Sequence, residues 1–230
     1  MESSQNDDVR SKSPIWGWTV VLLIALAAAV GHAFGRFSYG VVLPAVRDDM
    51  GITNALAGSI GAANVSAYLL GTIVVAWATS RFRLASVMRL GLVLVTLGLL
   101  IASLATGPWS LSAGLFLTGM GGAFLWIPSP VIAADALPDN QRHLAVGWLG
   151  SGVGLGIMFA SIVAGMLRSS EGDSSWSSVY QIQFGVGFIL LVLVLFFVRH
   201  QQDAPSGGAG MGGFTALRRM PGWLPLILAY

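Results

Sequence analysis

Cysteine is absent from the 230 residues. That excludes disulfide frameworks, thiolate nucleophiles and cysteine-held metal or haem centres. Charge is almost as scarce: Asp, Glu, Lys and Arg make up 10% of the chain, against about 25% in a soluble domain. The net charge is only +2 and the basic residues are dispersed, so no basic face forms for a nucleic acid. Catalytic signatures are missing too. His32, His143 and His200 have no metal-ligand spacing, and no H-E-x-x-H, phosphate-cradling loop or nucleophile elbow occurs. The acid pairs Asp7-Asp8 and Asp48-Asp49 fall in a tail and a loop. The chain therefore reads as no enzyme, with no cofactor and no metal.

What remains is apolar. Hydrophobic residues make up 55% of the chain and the mean hydropathy is +0.76. Thirty glycines without a G-x-y period suit close helix packing in lipid. Six stretches are long enough for a bilayer core of about 30 Å, which takes about 20 apolar residues. They run over Trp16–Leu43, Asn54–Thr79, Ser86–Ala105, Trp109–Leu137, Leu144–Leu167 and Val179–Val198. Backbone groups in lipid must be satisfied within the segment, so these are helices. Arg10 and Lys12 followed by Ala27-Ala28-Ala29 imitate a cleavable secretion signal. The apolar run continues to Val46, however, which predicts a retained first helix.

Lys and Arg fix the orientation. Arg10, Lys12, Arg81, Arg83, Arg89, Arg142, Arg199, Arg218 and Arg219 fall on one side, and Arg47 and Arg168 on the other. Nine against two places the N-terminus in the cytoplasm. The domain plan is a cytoplasmic tail over 1–15 and a six-helix bundle over 16–198. A Gly-rich linker follows over 199–222, and a seventh helix starts at 223–230, where a truncation is expected. A weak internal repeat matches Gly35, Phe37 and Asp48 to Gly122, Phe124 and Asp135, and Gly58 and Gly61 to Gly147 and Gly150. The repeat implies two inverted three-helix units, a pattern of transporters.

Arg36 is the one full charge inside the first span. At mid-helix a charge costs about 2.5–3.5 kcal/mol on insertion scales, and it survives where it faces a cavity, a partner or a ligand. His32, Arg36 and Tyr39 lie at i, i+4 and i+7, one face of an α-helix. Arg36 there attracts an anion, and His32 is suited to proton transfer near neutral pH. The alternative is that Arg36, roughly 30 Å along from Trp16, snorkels to the headgroups. In the second span Asn64, Tyr68 and Gly71 share a face, although a buried Asn in lipid often bonds a neighbouring helix. Trp126 precedes Pro128 and Pro130, which bend the fourth span. The glycines from Gly147 to Gly156 form a packing surface on the fifth. The sixth span has no polar side chain from Phe184 onward and should face lipid, with the third nearly matching it. Asp135, on the side of Arg81, Arg83 and Arg142, is expected to latch to one of them as a cytoplasmic gate with Arg81, or to be a solvated helix end.

The stretch from Gly35 to Pro44, with Leu56-Ala57-Gly58-Ser59-Ile60-Gly61 and Tyr68-Leu69-Leu70-Gly71, resembles the N-terminal half of a major facilitator superfamily transporter. Within that family the YbfB/YjiJ-type bacterial branch is the nearest likeness. The resemblance implies twelve helices in two bundles, a substrate held between them, and alternating access. The family's second-to-third loop reads Gly-x-x-x-Asp-Arg-x-Gly-Arg; here Arg81 remains, with Ser80 in place of the acid and Arg83 in place of the glycine. Drug/proton antiporters carry an arginine in the fourth helix and a Gly-Pro pair in the fifth. This chain has Leu115 near the first position and no proline in the fifth span. Trp16-Gly17-Trp18 resembles the opening of monocarboxylate-type carriers.

The expectation is therefore an all-α membrane protein in a bacterial cytoplasmic (inner) membrane. It would be half of a secondary transporter that moves a small organic anion, with a coupled proton, and that partners the lipid bilayer and a C-terminal six-helix half. His32, Arg36, Tyr39, Asn64, Tyr68 and Trp126 are the candidate substrate site. Efflux of amphipathic drugs or metabolites is one alternative, and a non-transporting six-helix scaffold or sensor another.

Overall fold

The computed structural model describes residues 14–197, and among them there is no strand. Six helices are long and apolar enough to cross a membrane: α1 (Ile15–Met50), α2 (Asn54–Ala78), α3 (Leu84–Ser103), α4 (Pro108–Asp135), α5 (Asp139–Glu171) and α6 (Asp173–Phe197). The expected all-α, six-span architecture holds. The tail up to residue 13, the linker over 199–222 and the helix start at 223–230 lie outside the described residues.

Local chemistry sets the ends. Gly51 closes α1 in the left-handed region at φ 60, where a Cβ would be strained. Thr53 then caps α2, its Oγ1 accepting from the Leu56 N–H at 3.2 Å. Pro108 opens α4, where its missing N–H costs nothing. α1 is longer than its expected end at Leu43 because Pro44 is carried inside the helix. α5 and α6 each begin with a short 3-10 turn, Asp139–Gln141 and Asp173–Ser175, whose polar residues mask the true start.

α1 and α4 are not uniform. From Ala29 to Phe37 α1 is wound as a π-helix, with the Ser38 N–H reaching back to the Ala33 carbonyl. α4 breaks between Trp126 and Ser129, as the two prolines predict. Pro128 and Pro130 withhold two N–H groups, and the Ser129 Oγ takes the Leu125 carbonyl at 2.6 Å.

The third span departs from expectation. It does not simply face lipid: Met88, Leu92, Val95 and Leu99 are fully buried. The reason lies in two glycine pairs. A Cβ on Gly98 would come within 2.6 Å of the Gly114 carbonyl oxygen, and one on Gly91 within 2.8 Å of that of Gly121. Bare backbone lets α3 and α4 approach far more closely than side chains permit. α6 is divided: Phe188, Ile189 and Phe196 are exposed, whereas Leu190 and Val194 are buried. The glycines of α5 divide. Gly152 and Gly156 press on Ala25, Ala29 and Ala33 of α1, whereas Gly147, Gly150 and Gly154 meet nothing within 4 Å. α2 and α5 bury the smallest share of any span, leaving Leu69, Ile73 and Trp77 on one and Trp148, Leu155 and Ile162 on the other exposed.

Candidate functional site

The π segment decides what α1 presents. A π turn closes its hydrogen bond over one more residue than an α turn, which rotates the rest of the helix by about 100°. His32 and Arg36 sit inside the segment and Tyr39 just beyond it. Their α-helical alignment is therefore broken.

His32 and Arg36 turn toward α2 and α4. The Arg36 guanidinium lies over the Tyr68 ring, its Cζ 4.3 Å from the centroid, with Phe37 at 5.7 Å. The His32 ring meets Tyr68 edge-on at 5.7 Å and Trp126 at 4.4 Å between centroids. His32 is 7% exposed, and its Nδ1 is buried without a hydrogen-bond partner. Arg36, Tyr68 and Trp126 are half-buried. Helices α1, α2 and α4 thus bring four of the six expected residues into one cluster, with one cation and three rings.

Tyr39 and Asn64 point elsewhere. The buried Tyr39 hydroxyl donates to the Ala57 carbonyl at 2.8 Å, clipping α1 to α2. Asn64 is 2% exposed. Its Nδ2 lies 2.9 Å from the Gly35 carbonyl, 2.6 Å from that of Leu115 and 3.0 Å from Thr118 Oγ1. Thr118 Oγ1 itself lies 2.7 Å from the Gly35 carbonyl and 2.8 Å from that of Leu115. These two side chains tie α1, α2 and α4 just behind Arg36. Sequence reasoning missed Thr118. Its signal was a lone hydroxyl in an apolar run, and only the fold shows what it serves. A second buried tie also went unread: Gln183 Nε2 of α6 donates to Ser38 Oγ at 2.6 Å, at the end of the π segment.

No acid among the described residues answers Arg36. The six carboxylates among the described residues all lie at helix ends with other partners. Asp48 pairs with Arg47 at 2.6 Å and Arg168 at 3.7 Å, and Arg168 holds Asp173 at 2.8 Å. Asp49 accepts from Trp176 Nε1 at 2.8 Å, and Glu171 from the Ser178 hydroxyl. At the opposite end of the bundle Arg142 takes Asp139 at 3.1 Å and Asp135 at 3.9 Å. The two expected gate residues are not brought together. Asp135 goes to Arg142, and the exposed Arg81 rests over Trp77 at 5.6 Å.

A cavity lies elsewhere in the bundle. A cleft of about 450 Å³ runs between α1, α5 and α6, walled by Leu26, Phe34, Leu155, Phe159, Ile189 and other apolar residues, with no charged group.

A family model described as Major Facilitator Superfamily matches residues 15–230. The chain is 25% identical over 173 residues to a "Probable 4-methylmuconolactone transporter" of Cupriavidus pinatubonensis, covering 75% of this chain and 40% of that protein. It is 27% identical over 183 residues to the "Tetracycline resistance protein, class B" of Escherichia coli, covering 78% and 44%. The chain thus spans less than half the length of these curated relatives. Among solved structures, the in meso crystal structure of the POT family transporter PepTSo superposes with a TM-score of 0.68 at 16% identity, over 90% of this chain and 42% of that one.

Proposed function

We propose, from the premise that the chain belongs to the major facilitator superfamily, that it supplies one six-helix half of a secondary transporter for a small organic anion, working by alternating access. Arg36 carries the reading: a half-buried guanidinium in a membrane span with no carboxylate partner among the described residues. Holding it there costs about 2.5–3.5 kcal/mol. A carboxylate at 4 Å returns about 4 kcal/mol at an effective dielectric near 20, so bound cargo outweighs the cost. Tyr68 and Trp126 wall the anion, and His32 carries the coupled proton. Tyr39 and Asn64 act behind the site by fixing the helices that present it. A relative whose name specifies 4-methylmuconolactone supports a small organic solute.

Around this core we place the finer features as parts of the same reading. The membrane is a bacterial inner membrane with the N-terminus cytoplasmic, and the branch is the YbfB/YjiJ type. A tail over 1–15 precedes the bundle, and a linker over 199–222 leads to a seventh helix and the other half. Arg81 and Asp135 lie at the cytoplasmic gate. Proteoliposomes holding the full-length protein should take up small carboxylates and not amines of the same size. Equal uptake of both would end the anion reading.

The apolar cleft between α1, α5 and α6 and the tetracycline-resistance relative favour a second reading, efflux of amphipathic compounds. That reading predicts a resistance profile that widens on overexpression and narrows on deletion. A profile unaltered by either would dispose of it.

A further inference from the structure

We infer that the anion is a carboxylate conjugated to a flat, unsaturated body, an aromatic or enoic acid, and not a saturated or hydroxyl-rich one. The inference rests on Arg36 as the anion's anchor. Tyr68 stands against the guanidinium, with 4.3 Å between Cζ and the ring centroid, and shares a side-chain hydrogen bond with it. The N–H donors left over belong to a planar fork, which pairs a carboxylate in bidentate fashion and in its own plane. A body conjugated to that carboxylate continues in the plane. A tetrahedral carbon next to it carries its substituents out of the plane. The other side chains of the cluster are also flat: Phe37 lies 5.7 Å from the guanidinium and is 45% exposed, and Trp126, against His32, is half-buried, so both have ring surface to offer a π-system.

The polar groups around the cluster favour the same cargo. A hydroxyl-bearing solute needs partners, and the neighbouring ones are committed. Asn64 Nδ2 is spent on Gly35, Leu115 and Thr118, the Tyr39 hydroxyl on Ala57, and Thr118 on backbone carbonyls. His32 Nδ1 is sealed from the surface. A polyhydroxy acid entering this half of the site would lose water and regain nothing from Asn64, Tyr39 or Thr118. With one cation in the cluster, one carboxylate is matched and a second is not.

The test compares three acids of like charge on the purified full-length protein by titration calorimetry: benzoate, cyclohexanecarboxylate and gluconate. Benzoate should bind about tenfold more tightly than cyclohexanecarboxylate, and gluconate should show no measurable binding. Trp126→Leu should bring benzoate to the level of cyclohexanecarboxylate without changing the latter, and Arg36→Ala should abolish both. If benzoate and cyclohexanecarboxylate bind equally and both need Arg36, the flat-body inference is overturned while the anion anchor stands. If neither binds, or both bind undiminished to Arg36→Ala, the anchor falls and this inference with it. The wild-type ratio decides even where Trp126→Leu does not fold.

Discussion

Replacing Arg36 by alanine should reduce substrate uptake by at least about 30-fold, the loss expected when one member of a desolvated, hydrogen-bonded charge pair is removed at a cost of 2–5 kcal/mol. The same substitution should leave the thermal midpoint of the detergent-solubilised protein unchanged or higher. Both outcomes have one cause. In the unliganded bundle Arg36 meets the Phe37 and Tyr68 rings, worth about 0.5–2 kcal/mol, and shares a side-chain hydrogen bond with Tyr68. Its removal relieves an intramembrane charge of about 2.5–3.5 kcal/mol. A residue retained for structure would lose stability when cut away, and one retained for cargo loses transport. Arg36→Lys sharpens the point: it keeps the charge and loses the fork, so uptake should fall roughly tenfold. Transport undiminished in Arg36→Ala, measured beside its melting curve, would remove Arg36 from the site.

Asn64→Leu should behave the other way, with a large loss of stability and normal substrate affinity in the molecules that still fold. Three acceptors on two other helices, Gly35 on α1 and Leu115 and Thr118 on α4, converge on Asn64 Nδ2. Single interhelical hydrogen bonds in membranes average only about 0.6 kcal/mol, but an acceptor left buried and unpaired costs about 1–3 kcal/mol. Thr118 continues to serve Gly35 and Leu115, which limits the damage. The added methyl groups must also fit where Asn64 is 2% exposed, and overpacking costs about 1–3 kcal/mol. The two terms together come to about 2–6 kcal/mol, read as an earlier melting transition. A variant that melts normally and binds benzoate weakly would make Asn64 a ligand-contacting residue.

These two residues show how far the sequence could be read. The six spans were legible because length and apolar content suffice, and their ends erred where Pro44 continued a helix or a short polar turn opened one. Arg36 stood out because any charge in lipid does. The partners of Arg36 and of His32 were harder to see. Tyr68 lies on another helix and Trp126 on a third, so their meeting with His32 depends on helix packing that no local pattern encodes. Tyr39 shows a different limit. Its place beside Arg36 presumed α-helical spacing, and the extra residue per turn of the π segment turned it toward Ala57. Nothing local announces such a segment. Gly91 and Gly98 made the third span look merely apolar, because a glycine's contribution is a close approach that exists only once Gly114 and Gly121 stand opposite.

The packing of Arg36 on Tyr68 also has a consequence in time. During synthesis α1 emerges carrying an uncovered arginine. Tyr68 is made 32 residues later. At about 5–20 residues per second, that cover arrives only roughly 2–6 s after the arginine itself is made. For that interval α1 must be kept from slipping back out of the translocon or from taking a wrong neighbour. The arginine is thus made before the ring that covers it, which makes nascent-chain insertion a stage at which this protein is easily lost.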